Sequence, residues 1–413
     1  MKILIVTQTY PPEPGLLVQE LAQGLITDGH QVTVMTGFPN YPSGKLYPGY
    51  RLRLVQRETI AGVPVIRVPL YPDHSRSSFK RAWNYLSLSL SISIFGWGVT
   101  SKPDVMFVYH PPLTMGIPAY LLSRFWRIPF VFHIADMWPE TLSSTGMLNN
   151  AAILKGVGSF AKWIYRKADE ISVISPGFRE NLLRKGVPTN KIHIVSNWVD
   201  ANFYRPVEAD IAKAKELGLA ERFNVMYTGA IGLAQGLDTV LEGAALLKDV
   251  PQIQFVMVGD GADYNRLKTM TNDRRIHNVL FLGRYPAAEM NQLFALADVL
   301  LVHLKDDPLF RITIPHKIFT YLASGKPILA AVEGDAAEVV NNAQAGVVCK
   351  PGDPGEIAIS VRKLYLLTPS ERKSLGLNGR RTAVNMYSRE KLVPQFEQVL
   401  IRACLNRKSN RPT

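Results

Sequence analysis

Residues 224–247, NVMYTGAIGLAQGLDTVLEGAALL, read as a short apolar strand, a turn carrying three glycines and an amphipathic helix. A strand that runs through a turn into a helix is the building unit of parallel sheets, because parallel neighbours need a crossover connection and a helix supplies it. The plan recurs through the second half of the chain, with apolar strand runs at 254–258, 279–282, 299–303, 328–331 and 346–349. The first half shows it at 2–7, 31–36, 65–69, 105–109, 130–133, 170–174 and 192–195. Between the first two of these, VQELAQGLITD at 18–28 places Leu21 and Leu25 on one helical face. Apolar strands alternating with helical patterns predict an α/β protein of two doubly wound, Rossmann-like parallel-sheet domains.

The length of 413 residues exceeds one typical core and suits two large domains. NWVDANFYRP, 197–206, has no periodicity and closes on a proline, so it reads as the linker between a domain at 1–196 and another at 207–388. Residues 389–405 are helical in pattern and are expected to pack back across the first domain, with a frayed polar tail, KSNRPT, completing 389–413.

The formal charge is +13, and residues 1–200 hold 20 Lys and Arg against 12 Asp and Glu. Between 155 and 191 eight bases face only Asp169, Glu170 and Glu180. Such a face suits an anionic membrane surface, a polyphosphate ligand or nucleic acid, or is simply solvated. Nucleic acid is disfavoured as a partner because no recognised binding module accompanies the charge. Cys349 and Cys404 lack disulfide-framework or metal-ligand spacing and fit a reducing compartment. The chain opens directly on the buried-strand pattern KILIVTQ, with no room for a signal peptide, so a cytoplasmic location is expected. WNYLSLSLSISIFGWGV, 83–99, alternates apolar residues with serines and is too short in apolar residues to span a bilayer. Alternation nominally reads as strand, but the parallel strand that follows needs a crossover, so a helix against the protein or the bilayer surface is expected.

In doubly wound sheets ligands bind at the carboxyl ends of strands. Facing domains of this kind would bury a substrate between them. After the first strand comes TQTYPPEPG, where Gly15 allows close backbone approach. YHPP carries His110, and HIADMWPE carries His133, Asp136 and Glu140 together. In the second half GAIGLAQG, with Gly232, Gln235 and Gly236, suits a diphosphate met by backbone N–H groups. Gly259, Asp260 and Gly261 close the next strand, and Arg284 follows the one after. ITIPHKIFTYLASGKPIL, 312–329, sets Lys317 in a proline turn directly ahead of a helix, where helix-start N–H groups and an ammonium together would hold phosphate. There is no Asp-x-Asp, zinc spacing, Gly-x-Ser-x-Gly elbow or kinase His-Arg-Asp. Catalysis is therefore expected to rest on positioning and fixed positive charge, without metal or cofactor.

In order and spacing, KILIVTQTYPPEPG, DGHQVTV, SPGFRENLLRKGV, VSNWVD, GAIGLAQGLDTVL, VMVGDGAD, LGRYP, ALADVLLVHL, HKIFTYLASGKPIL and AGVVCKPGD resemble the retaining glycosyltransferases of family 4, which have the GT-B fold. TGFPNYPSGKLYPGYR and HIADMWPE look most like the branch that builds O-antigen, colanic acid and other exopolysaccharides, including fucosaminyl transferases. The resemblance implies transfer of a sugar from a nucleoside diphosphate, UDP foremost, to a saccharide on a polyprenyl diphosphate at the cytoplasmic membrane face. It implies that His133 contacts the donor sugar and supports catalysis, that Gly15 lies under the phosphates, and that Arg284 belongs to the segment reading the base. Two departures stand out: Ala230 and Gln235 replace the basic residues common in that loop, and Thr320 replaces the ribose-binding glutamate. Lys317 and Arg311 would then supply the charge that holds the diphosphate. Two other readings remain open at this level: a UDP-sugar epimerase using His133, Asp136 and Glu140, and an inactive scaffold that binds a membrane or a partner enzyme.

Overall fold

A computed structural model describes residues 1–75 and 77–409 of the chain. The last four residues of the expected frayed tail lie outside the described residues. The chain forms two compact units, one joining Met1–Ser196 to the final helix and the other comprising Asn197–Ser388.

The first unit contains β1 (Lys2–Val6), β2 (Gln31–Gly37), β3 (Gln56–Ile60), β4 (Val63–Val68), β5 (Val105–His110), β6 (Phe130–Ile134), β7 (Glu170–Val173) and β8 (Ile192–Ile194). They form one sheet in the order β3-β4-β2-β1-β5-β6-β7-β8. All neighbours are parallel except β3 and β4, which pair antiparallel. This edge hairpin adds β3, a strand that the sequence reading did not include, to the expected parallel sheet. Its two turn residues, Ala61 and Gly62, both have positive φ (49° and 82°), as a tight hairpin requires, but alanine is not a residue that announces such a turn. The central strands are buried on both faces, whereas β3 alternates between partly and fully exposed residues.

The segment 83–99 lies inside a helix, Ser78–Val99, capped by the Ser77 hydroxyl, which accepts from Lys80 N at 3.4 Å. Asn84, Leu88, Ile92 and Gly96, four residues apart, are buried, and that spacing outweighs the alternating serines. Those serines turn back on the helix or its neighbour: Ser93 Oγ donates to Ser89 O (2.8 Å) and Ser89 Oγ to Thr114 O (2.7 Å). A Cβ at Gly96 would lie 3.1 Å from Leu122, so the glycine lets two helices approach closely. No helix among the described residues is long and apolar enough to cross a membrane.

The final helix, Arg389–Ser409, packs across this unit. Phe396 stands edge-on to Phe107 of β5 and to His133 of β6, with ring centroids 5.6 and 5.2 Å away. Polar ties run along it, from His30 to Glu397 (2.8 Å) and from Arg407 to Asp169 (2.8 Å).

The second unit contains β9 (Phe223–Thr228), β10 (Ile253–Val258), β11 (Val279–Gly283), β12 (Val299–His303), β13 (Ile328–Ala331) and β14 (Gly346–Cys349). Their order is β11-β10-β9-β12-β13-β14, parallel throughout. The order reverses at β9, whose carboxyl end is therefore the switch point at which doubly wound sheets take ligands. The segment 197–206 belongs to this unit, where Val199 N donates to Tyr387 O (2.9 Å) and fastens the unit's two ends together.

Replacing Phe396 by alanine removes a buried ring from between β5 and β6, and is expected to destabilise the first unit by about 3–5 kcal/mol. Urea unfolding measures this. A loss below about 1 kcal/mol would show that the final helix contributes little to the unit.

Candidate active site

In the second unit the turn after β9 is held by its own backbone. Gly229 N donates to Val258 O (2.9 Å), Ile231 N to Asp260 O (2.9 Å), and Gly232 N to the Gln235 side-chain carbonyl (3.0 Å). Gln235, which stands where a basic residue was looked for, thus braces the turn. The two glycine turns touch: a Cβ on Gly259, which has φ 146°, would fall 1.8 Å from Gly229 O, and one on Gly261 would fall 2.3 Å from Ile231 O. Only glycine allows this contact. Asp260 is turned to the neighbouring backbone, its carboxylate accepting from Gly261 N at 2.7 Å. Gly236 adopts the left-handed conformation (φ 55°) that starts the helix Leu237–Ala245, and Lys305 and His303 close over it. His303 donates from Nδ1 to Gln235 O (2.6 Å), which leaves Nε2 as acceptor in the neutral ring that burial favours.

Lys317 lies in the first turn of the helix His316–Ser324, not ahead of it, because Pro315 takes the N-cap position. Its aliphatic stem is partly exposed, but Nζ is buried and has no hydrogen-bond partner. The ammonium sits 3.7 Å from the centre of the Tyr227 ring and beside Gly229, where an added Cβ would come within 3.3 Å of it. Burial brings its pKa down to about 7. Tyr227, on β9, is fixed from beyond by its hydroxyl, which donates to Ala230 O at 2.5 Å.

The other expected residues of this unit have different surroundings. Arg311 is exposed and already paired with Asp306 (2.8 Å) and Glu333 (3.0 Å). Thr320 is buried and donates to Lys317 O (2.9 Å), closing the helix turn that carries the lysine. Arg284 is exposed after Gly283. Tyr227, His303 and Lys305 went unnoticed in the sequence. His303 and Lys305 could have been found by the strand-end rule, since they end and follow β12.

In the first unit Gly15, at φ 123°, starts the helix Leu16–Thr27 at the surface. The residues after β5 and β6 divide. His133, 1% exposed, is enclosed by Phe107, Tyr109 and Phe396, and its Nδ1 pairs with Ser172 Oγ (3.0 Å). Burial lowers its pKa to about 3, so the ring is neutral. In this structure His133 lies under the final helix, against Phe396. His110 is also buried and stacks on Phe132 and against Trp138, with a pKa lowered by burial to about 3. Glu140 pairs with Lys185 (2.7 Å) and accepts from Asn181 (3.3 Å). Asp136, which burial raises to about 6, faces Tyr109 and Tyr85 electrostatically. Among the described residues no group of three or more His, Cys, Asp and Glu is placed to hold a metal ion.

These arrangements describe a class: two parallel-sheet domains, one presenting glycine turns and a buried ammonium at its switch point. Family models agree with it. Residues 14–198 match a glycosyl transferase 4-like domain and residues 210–382 match the glycosyl transferases group 1. The chain belongs to the family 4 type of glycosyltransferases and is an enzyme that transfers sugars. It is 27% identical over 403 residues to a protein of Escherichia coli K12 named as a colanic acid biosynthesis glycosyl transferase, WcaI, covering 95% of this chain and 96% of that one. It is 28% identical over 253 residues to WbjE of Pseudomonas aeruginosa, named as a glycosyltransferase, covering 60% and 61%. Among solved structures, Anabaena HepE in complex with UDP superposes with a TM-score of 0.74 at 20% identity, over 97% of this chain and all of that one. That likeness establishes the GT-B fold.

A lysine with a pKa near 7 in the folded protein and its ordinary value near 10.5 when unfolded leaves the unfolded chain holding more protons between those values. Stability should therefore rise with pH across that window through this group, by up to about 1.4 kcal/mol per pH unit, and be flat below it. Comparing urea unfolding of the wild type and Lys317→Met at pH 7, 8 and 9 isolates the term. Parallel pH profiles would mean that Lys317 is charged and solvated.

Proposed function

We propose that this chain is a retaining, metal-independent glycosyltransferase that moves a sugar from a UDP donor to a saccharide carried on a polyprenyl diphosphate. It would act at the cytoplasmic face of the membrane in the synthesis of a surface polysaccharide. The observation that carries this reading is the buried Lys317 ammonium, unpaired beside two interlocked glycine turns. A buried cation without an anion is costly, and a diphosphate laid along the Gly229–Gly236 turn removes that cost while restoring the full charge. Lys305 is the second cation at this turn, in place of Arg311, whose charge is already met by two carboxylates.

In the reaction the bond from the sugar's anomeric carbon to the donor phosphate breaks as the acceptor hydroxyl bonds to that carbon on the same face. The hydroxyl's proton passes to the departing phosphate oxygen, and Lys317 stabilises the charge that develops on the diphosphate. No side chain is needed as an obligatory nucleophile. Asp136, half-buried and with its pKa raised to about 6, is the acceptor-side group in the first unit. UDP as donor is supported by the UDP complex of HepE, and a polysaccharide product by the name of the E. coli relative. Metal independence is supported by the absence of Asp-x-Asp from the sequence. The epimerase reading loses support because Glu140 is committed to Lys185.

A panel of UDP- and GDP-sugars offered with a polyprenyl-diphosphate-linked monosaccharide, with mass spectrometry of the lipid product, tests the reading. Lys317→Ala should lower turnover by about 10²–10³, and excess EDTA should leave most of the activity. Abolition by EDTA with rescue by Mg²⁺ or Mn²⁺, or a loss under tenfold in a folded Lys317→Ala protein, would count against the mechanism.

The membrane component rests on the helix Ser78–Val99, which turns Phe79, Trp83, Leu90, Ile94 and Trp97 to solvent beside Lys80 and Arg81. Flotation with anionic liposomes at low salt should succeed and should weaken with added salt and in Lys80→Glu with Arg81→Glu. Equal binding to neutral vesicles, or none to anionic ones, would remove it.

A further inference from the structure

The helices Ser78–Val99, Glu140–Ser144 and Ala151–Lys167 of the first unit leave an apolar groove of about 470 Å³. Phe79, Tyr85, Leu86, Trp138, Leu142 and Val157 form much of its wall, and among the described residues Ser78, Arg81 and Thr114 are its only polar side chains apart from the Tyr hydroxyl and the Trp N–H. Its size lies within the roughly 300–1,000 Å³ of small-molecule sites.

The groove has two distinct ends. At the inner end Trp138 stands 6.2 Å from Tyr85 and 5.5 Å from His110, ring centre to ring centre, so the wall backs directly onto the cluster at the carboxyl ends of β5 and β6. At the outer end it opens beside Phe79, 80% exposed, on the apolar face of the helix Ser78–Val99. The two long helices flanking it carry Lys80, Arg81, Lys155, Lys162, Arg166 and Lys167 and no acidic residue.

We propose that this groove holds the isoprenoid chain of the acceptor lipid, with the diphosphate drawn to the basic flank and the saccharide presented at the β5 and β6 ends. The proposal rests on the reading that the acceptor is polyprenyl-linked. A peptide laid here would bring backbone N–H and C=O groups that the carbon walls cannot satisfy, whereas a hydrocarbon chain asks for no hydrogen bonds. The uniformly basic flank selects a chain with an anionic head. Continuity with the exposed helix face lets a chain enter from the bilayer without crossing water. Each methylene taken from water into such a wall strengthens binding by about fourfold.

The test uses the full chain and farnesyl diphosphate, a soluble short isoprenoid, by calorimetry, with inorganic diphosphate and dihexanoyl phosphatidylglycerol as competitors. Farnesyl diphosphate should bind at least tenfold more tightly than either competitor. Ala82→Trp and Val157→Trp, which fill the groove from its wall, should each weaken it at least tenfold, while Leu366→Glu on the surface of the second unit leaves it unchanged. Farnesyl diphosphate binding that is absent from the wild type, undiminished in both groove variants, or matched by inorganic diphosphate or the phospholipid would overturn the proposal. UDP titration of the same proteins separates the two readings: loss of UDP binding in the wild type sinks the donor assignment and leaves the groove result standing. Urea unfolding of the Trp variants that matches the wild type confirms that the first unit is folded.

Discussion

Parallel strands buried on both faces impose the constraint from which the rest follows. Their side chains are committed to packing, so most crossings run through a helix and a polar group that meets a ligand sits where strands end. In the second unit this concentrates chemistry at the carboxyl ends of β9, β10 and β12, where Gly229, Gly259 and Gly236 let three turns close on one another. In the first unit the same rule gathers His110, His133 and Asp136 at the carboxyl ends of β5 and β6, and packing then sorts them. His133 goes inward, under the final helix, and Asp136 stays near the polar edge.

Buried charges in this protein are treated in two ways. Arg67 is fully buried but thoroughly met: it pairs with Glu58 and donates to Gly37 O (2.8 Å) and Pro11 O. Glu13, also buried, accepts from the backbone N–H groups of Tyr10 (3.2 Å), Asn40 (2.8 Å) and Tyr41 (2.8 Å), tying the loop after β1 to the loop after β2. These groups repay their desolvation inside the fold. Lys317 does not, and its ring contact with Tyr227 offsets only part of the cost. Arg67 and Glu13 are thus met inside the fold, and the Lys317 ammonium is not.

The outward faces of the first unit show the same economy with the sign of the surface reversed. Apart from the hydrogen-bonded Asn84, buried positions on the helix Ser78–Val99 are small or aliphatic and let neighbouring helices come close, while aromatic residues that water disfavours are left on its far side. Trp97 and Phe125 meet there, 5.9 Å apart, and form an apolar patch rather than scattered exposed residues.

Much of the architecture was legible in the chain before any coordinates. Strand runs, crossover helices, the final helix and the ordered motifs of the family are carried by local periodicity and short spacing, which depend on backbone geometry that each segment possesses by itself. Lys317, the glycine turns and the residues after β6 were visible as candidates for the same reason. What tertiary structure alone decided was which partner each of them met. Arg311 finds Asp306 and Glu333, Glu140 finds Lys185 forty-five residues on, His133 is closed in by Phe396 from the far end of the chain, and the hairpin at Ala61 and Gly62 forms without a turn signal. These outcomes, like the burial of one ammonium over a tyrosine ring and the groove beside Trp138, depend on contacts between distant segments and on the desolvation those contacts impose, and neither is written in any one stretch of sequence.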